Sequence, residues 1–247
     1  MNPLEYVYKC MNCLIDRVEP NTDEFKVLMN YISSTKESVR FKVKNIFKLV
    51  RKGEYEKFTK CGNLNNRMML FHGSKTYNYV GLLSQGIKIA PAGVQVTGWA
   101  FGKGIYLADM FCKSYNYCST LQPNYYGYNY GYPNYIKNNA NIDKYNDLLM
   151  LINEAALGRQ CVLSDNTGFN GEKPANYDSV KACGNRGPNF ENSLMLKNGC
   201  ELPQGSVVNY QIKRNPHAFA LGFNEYIIYD DDKLRMQYLI QFVPGDQ

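Results

Sequence analysis

Histidine and tryptophan are nearly missing from this chain: 247 residues hold two histidines and one tryptophan. A metal site built on two histidines would need both His72 and His217, which have no helical spacing. Paired cysteines are equally scarce. Of eight cysteines only Cys10 and Cys13 form a Cys-x-x-Cys, and the next one, Cys61, lies too far on to complete a zinc site. The cysteines read as buried or unpaired thiols. No apolar run approaches the roughly 18 residues of a membrane span. Met1 to Cys10 lacks the basic-then-apolar layout of a secretory signal. Disulfides are therefore not expected, and the chain reads as soluble and intracellular, in nucleus or cytoplasm. There is no Walker phosphate loop. Gly102-Lys103-Gly104 starts like a dinucleotide fingerprint, but Leu107 stands where its third glycine should be.

Charge of one sign is only mildly in excess, 28 basic against 22 acidic residues for a net +6. That suits phosphate-bearing partners or solubility. Arg51-Lys52 and Lys213-Arg214 are isolated pairs rather than a basic stripe, so charge alone does not mark a nucleic-acid groove. The length and a hydrophobic content of 45% point to one large domain with a substantial core.

Asn21 and Glu24 have capping-box spacing, and Phe25, Leu28, Met29 and Ile32 form the apolar face of a helix. Arg67 to Phe71 is a short apolar strand ending in His72-Gly73-Ser74. A helix is expected over Asn78 to Gln85, with Gly86 as its stop. Pro91 to Gly104 reads as a loop and Ile105 to Ala108 as a short buried strand. Asp109 is placed to cap a helix running through Cys118. From 123 to 146 tyrosines (Tyr125, Tyr126, Tyr128, Tyr130, Tyr132, Tyr135) alternate with asparagine and glycine, a low-complexity insertion expected to be a mobile loop. Stacked tyrosines can bind single-stranded nucleic acid, but interleaved arginine or lysine is missing here. Glu225 to Tyr229 is strand-like. Met236, Tyr238, Ile240 and Phe242 then alternate with Gln237, Leu239, Gln241 and Val243 as the two faces of a last strand. There is no internal repeat, and the pattern as a whole is α+β with antiparallel sheet.

Three places carry chemistry. His72 closes a strand beside a glycine, which leaves backbone open to a ligand. Lys113, Ser114 and Tyr117 are spaced to present a cation, a hydroxyl and an aromatic ring near one helix face. Glu225 opens an apolar strand, where a carboxylate is costly unless it serves a site. Singly, each is better read as a structural residue.

Together they resemble a family. His72-Gly73-Ser74, Gly86, Ala90-Pro91, Val96-Thr97-Gly98, Phe101-Gly102-Lys103-Gly104-Ile105-Tyr106, Ala108-Asp109-Met110, Lys113-Ser114 and Asn116-Tyr117-Cys118 resemble the signature of the poly(ADP-ribose) polymerases, in their DNA-damage-responsive branch. The similarity is continuous from Leu70 to Cys118, and Asn224 to Asp230 resembles the family's catalytic strand. Weaker similarity runs from about Glu5 to Arg67 and from Asn153 to the C-terminus, leaving out only the insertion.

The resemblance implies the ADP-ribosyltransferase fold, two small, mainly antiparallel sheets around an NAD cleft with flanking helices. It implies NAD+ as co-substrate, no metal, and protein acceptors followed by growing poly(ADP-ribose). His72, Tyr106 and Glu225 match the family triad. By resemblance His72 hydrogen-bonds the adenosine-side ribose, while the Gly73 backbone and the Ser114 hydroxyl hold the nicotinamide carboxamide. Tyr106 and Tyr117 sandwich the cationic pyridinium, each face giving about 0.5 to 2 kcal/mol. Glu225 is the catalytic carboxylate and Lys113 its supporting lysine. Ser74, Gly81 and Lys88 match positions lining the adenosine and phosphates, with Lys88 where the most similar members carry arginine. Trp99 and Phe223 each stand in place of a tyrosine. The tail from Phe242 to Gln247 is unlike the one through which such members meet an accessory factor, which leaves that partner open. The stretch before His72 resembles the start of the catalytic domain, so the expectation is a single domain, 1–247, without a helical regulatory or DNA-binding module, membrane contact or intrinsic DNA dependence. A mono-transferase on the same fold and a catalytically silent NAD- or ADP-ribose-binding module are the alternatives. Glutamate at 225 favours elongation.

Overall fold

Apolar residues recur at helical spacing in both N-terminal helices of the computed structural model, yet only the second helix buries residues fully in the core, the first reaching it through half-buried Met11. Described residues are 2–62, 64–90, 100–119, 147–165, 169–215 and 220–245; the Tyr/Asn insertion, Val96 to Trp99 and His217 lie outside them. Helix α1 (Pro3–Met11) is capped by Asn2 and has no buried residue. After β1 (Cys13–Arg17), helix α2 (Asp23–Ser34) buries Leu28, Tyr31 and Ile32. Its cap is Thr22 and not Asn21. Thr22 has the extended backbone of a cap residue, and its Oγ1 accepts from the Phe25 amide at 3.2 Å. Glu24 turns instead to Lys48 and the Tyr238 hydroxyl, at 2.8 and 2.6 Å.

The chain continues through β2 (Phe41–Arg51), α3 (Glu54–Lys60), β3 (Arg67–Gly73), α4 (Tyr79–Gln85), β4 (Ile105–Leu107), α5 (Phe111–Tyr115), β5 (Leu148–Ala156), β6 (Gln160–Leu163), β7 (Ser179–Ala182) and β8 (Gly184–Pro188). It ends with β9 (Leu194–Met195), β10 (Glu201–Leu202), β11 (Val207–Asn209), β12 (Leu221–Phe223), β13 (Glu225–Ile228) and β14 (Leu234–Pro244). A seven-stranded sheet has the order β1-β2-β14-β5-β3-β10-β9, and a four-stranded sheet the order β4-β13-β7-β6. Pairing is antiparallel except for β3 with β10, β6 with β7 and β8 with β12. Strands β7 and β13 each connect through one residue, Cys183 and Asn224, to β8 and β12 of a three-stranded extension, β11-β8-β12. The fold is thus mixed α+β with mainly antiparallel sheets. No helix among the described residues is long and apolar enough to cross a membrane.

The seven-stranded sheet is covered on both faces. On one side Leu70, Leu151 and Leu239 pack with Ile105, Leu107, Tyr226 and Ile228 of the four-stranded sheet. On the other Phe71, Met150, Ile240 and Phe242 pack with α2 and with Phe111 of α5. The last strand departs from the strict alternation expected for it. Leu234, Met236 and Leu239 lie in the first core, whereas Ile240 and Phe242 lie in the second with Tyr238 packed against it. Met236 pairs with Asn153 and Tyr238 with the adjacent Ile152, so Gln237 is the extra residue of a β-bulge that exchanges the two faces.

Helix α5 is shorter than its expected span from Asp109 to Cys118, and Asp109 does not cap it. The Phe111 and Cys112 amides bond instead to the hydroxyl and carbonyl oxygens of Thr35, at the end of α2. This partner, distant in sequence, supplies the capping oxygens and leaves the Asp109 carboxylate for other bonds.

Candidate active site

The two large sheets meet where β3 ends. The Phe71 amide donates to the Ala108 carbonyl at 2.7 Å, and the Ala108 amide returns a bond to Phe71 at 3.0 Å. Just past this join, His72 Nδ1 lies 3.1 Å from the Tyr106 carbonyl oxygen. A carbonyl only accepts, so Nδ1 carries the proton and a neutral ring keeps Nε2 as an acceptor. Burial lowers the His72 pKa, which favours that neutral ring.

Gly73 lies hard against α5: a β-carbon there would sit 1.9 Å from the Ser114 carbonyl oxygen. Only glycine permits this approach, which brings the end of β3 beside the buried Ser114. Tyr117 follows α5 and is 58% exposed. Tyr106 sits between buried Ile105 and Leu107, so strand alternation turns it to the opposite face. Its hydroxyl accepts from the Phe101 amide and donates to the Gly102 carbonyl, both at 2.9 Å. These bonds fix the ring, and burial, with a smaller contribution from the Glu225 charge, pushes the hydroxyl up to about 12.

Glu225 begins β13, beside β4. Lys113 Nζ reaches Glu225 Oε1 at 2.5 Å and the Asn224 carbonyl at 3.2 Å. Both side chains are about 15% exposed, 14% for the lysine and 15% for the glutamate. Burial lowers the Lys113 pKa, and the attraction of Glu225 opposes that shift. Removing one member of so enclosed a pair would leave the other charge uncompensated, at a cost of about 3 to 5 kcal/mol.

Of the residues expected from sequence, His72, Gly73, Tyr106, Lys113, Ser114 and Glu225 are joined by these contacts. Ser74 Oγ accepts from Asn78 Nδ2 at 2.9 Å. Gly81 lies on α4 with open space at its α-carbon. Lys88 is paired with Asp231 at 3.1 Å and, with Lys57, Lys173 and Tyr229, lines a cavity of about 660 Å³. Asp231 follows the C-terminal end of β13 while Glu225 opens it, so the strand's length, roughly 13 Å, separates Lys88's partner from the glutamate. Phe223 lies under the Arg186 guanidinium, 4.8 Å from its ring centroid. All eight cysteines are free, and among the described residues no three His, Cys, Asp or Glu side chains are grouped to hold a metal.

Sequence reasoning missed Asp109 and Asn224 as parts of this arrangement. Asp109 is fully buried, and its Oδ2 accepts from Asn224 Nδ2 at 2.7 Å and from the Tyr226 hydroxyl at 3.0 Å. Burial raises its pKa despite these bonds. Asn224 Oδ1 accepts from the Gly184 amide at 2.9 Å. A carboxylate after a short strand has the local signature of a helix cap, and only the distant donors Asn224, just before β13, and Tyr226, on it, reveal its other use.

Two mainly antiparallel sheets joined along one seam, with flanking helices, make an α+β domain. Residues 22–243 match the family described as the poly(ADP-ribose) polymerase catalytic domain. The chain is 33% identical over 244 residues to poly [ADP-ribose] polymerase 1 of Danio rerio, a match covering 97% of this chain and 21% of that protein. It is 34% identical over 246 residues to poly [ADP-ribose] polymerase 2 of Arabidopsis thaliana and to that of Homo sapiens. Those matches cover 97% of this chain and 34% and 38% of the relatives. The chain therefore belongs to the poly(ADP-ribose) polymerase catalytic-domain family, and it spans about a fifth to two fifths of the length of these relatives.

Proposed function

We propose that this chain splits NAD+ at its nicotinamide–ribose bond and transfers the ADP-ribose to protein acceptors and onward to growing poly(ADP-ribose). The observation that carries the reading is the Glu225 carboxylate, held through Oε1 by Lys113 at the join where His72, Gly73, Tyr106 and Ser114 come together. As the C–N bond breaks, electrons leave with neutral nicotinamide and positive charge develops on the ribose, as in glycoside hydrolysis. Glu225 Oε2 accepts the 2′-hydroxyl of that ribose and stabilises the charge. The acceptor hydroxyl or carboxylate then bonds to the C1′ of that ribose, which nicotinamide has left, and any proton it carries is released to solvent.

The other residues orient the substrate. The Gly73 backbone and Ser114 hydroxyl take the carboxamide, and Tyr106 and Tyr117 offer aromatic faces to the pyridinium. Neutral His72 offers Nε2 to a ribose hydroxyl on the adenosine side. Ser74, Gly81 and Lys88 extend the site toward adenosine and phosphates, where Lys88 exchanges Asp231 for a phosphate oxygen. The reading invokes no metal and no DNA.

Incubating the purified chain with labelled NAD+, without DNA, and separating the products on a gel tests this. A ladder of modified protein is expected, and Glu225→Gln should lose nearly all of it while still binding benzamide, which copies the carboxamide and ring. Wild-type elongation by Glu225→Gln would remove Glu225 from the mechanism.

A further inference from the structure

Along a β-strand, the side chains flanking a residue point to the face opposite its own. Around Glu225 those flanking residues are Asn224 and Tyr226, and both donate to one oxygen, Asp109 Oδ2, at 2.7 and 3.0 Å. Asp109, Asn224 and Tyr226 are all completely buried. A grip on the residues before and after Glu225 opposes rotation of the strand about its axis, the motion that would swing the carboxylate out of line. Asn224 is fixed at two further points: its side chain accepts from the Gly184 amide, and its carbonyl accepts from the Lys113 ammonium that also holds Glu225. Asp109 lies two residues past β4, the strand that carries Tyr106. One buried carboxyl thus ties the position of Glu225 to the strand bearing the ring that faces the substrate.

This arrangement costs stability. A buried carboxylate is expensive even when hydrogen-bonded, and Asp109 Oδ1 has no hydrogen-bond partner among the described residues. An apolar side chain with apolar neighbours would fill the same volume without that cost.

We propose that Asp109 is a positioning residue for the reaction, aiming Glu225 through Asn224 and Tyr226. The inference rests on the role given to Glu225 above. Tyr226→Phe removes one of the two bonds and keeps the shape of the core. Its kcat for nicotinamide release should fall about threefold to tenfold, since small displacements of a reacting group are costly. Its Kd for benzamide should stay within about twofold and its Tm within a few degrees, because Tyr106 is fixed separately by Phe101 and Gly102, and Gly73, Ser114 and Tyr117 are not bonded to Tyr226. Asp109→Leu removes both bonds and should lower kcat further, by at least about tenfold; if it fails to fold, Tyr226→Phe alone decides. A wild-type kcat in Tyr226→Phe overturns the proposal, as does a loss of benzamide binding equal to the loss of turnover, which would mark a purely structural role. Glu225→Gln is run in parallel. If it alone loses turnover, the positioning role fails while the site reading stands; if it too keeps wild-type turnover, the site reading fails and takes the proposal with it.

Discussion

Burial lowers the pKa of His72 below the ordinary histidine value, so the folded protein resists a proton that the unfolded chain accepts. A depressed folded value gives stability that is present above the unfolded pKa, about 6.5, and is lost as pH falls through the folded value. The Tm of the wild type should therefore drop more steeply below about pH 6.5 than that of His72→Asn, with this one group contributing at most about 1.4 kcal/mol per pH unit. Asp109 acts with the opposite sign, its raised pKa giving stability at low pH that is lost as pH rises. Both proteins keep Asp109, so its effect cancels in the comparison, and parallel Tm curves would show that His72 is not desolvated. The roles proposed for His72, Tyr106 and Glu225 could be suggested from sequence because each lies in a run of matching neighbours. Those of Asp109 and Thr35 could not, because their partners are distant in sequence: Asp109 bonds across to β13, and Thr35 caps α5 from the end of α2.

Under the proposed reading, the seat for the nicotinamide amide depends on how closely β3 approaches α5, and Gly73 sets that distance. A methyl group at this position would overlap the Ser114 carbonyl, so Gly73→Ala must push the two elements apart. Overpacking of this kind costs about 1 to 3 kcal/mol. The variant should melt several degrees lower and bind benzamide at least several-fold more weakly in calorimetry, and an unchanged Tm and Kd would place the carboxamide elsewhere. Strands β3, β4 and β13 were readable from short apolar runs and helix α4 from Gly86, whose amide bonds back to Leu82 with φ at +78°. The final strand was readable in extent but not in facing. The even-numbered positions from Met236 to Phe242 are all apolar, as are Leu239 and Val243, so the pattern fits either face of a sheet buried on both sides. The bulge at Gln237 is visible only once β5 is paired beside it.

Sheet order is a property of the whole molecule, and β14, last in the chain, pairs between β2 and β5. No local pattern encodes such pairing; here the family resemblance implied two sheets, and the structure has in addition the extension to which β7 and β13 connect through Cys183 and Asn224. Residues 13–51 supply two strands of the seven-stranded sheet and, in α2, part of its cover, so this stretch shares one sheet and one core with the strands that follow it. The Tyr/Asn insertion can be tested against the same frame, because the described residues on either side of it converge on one threonine. The Thr76 amide donates to the Ser119 carbonyl at 2.7 Å, and the Thr76 hydroxyl donates to the Asp147 carbonyl at 3.4 Å. Asp147 is further anchored by Lys44 and by Gln241 Nε2, at 2.5 and 2.6 Å. A four-residue Gly/Ser linker in place of residues 123–146 reaches roughly 13 Å when extended, enough to join two ends that bond to the same side chain and its backbone. Cutting the connection about fourfold is two halvings of loop length, worth about 1.2 kcal/mol in favour of the shortened chain. The shortened protein should therefore fold with a Tm equal to or slightly above that of the wild type and should release nicotinamide at a comparable rate. Insoluble protein, or a Tm lowered by several degrees, would show that the insertion contributes contacts on which the fold depends.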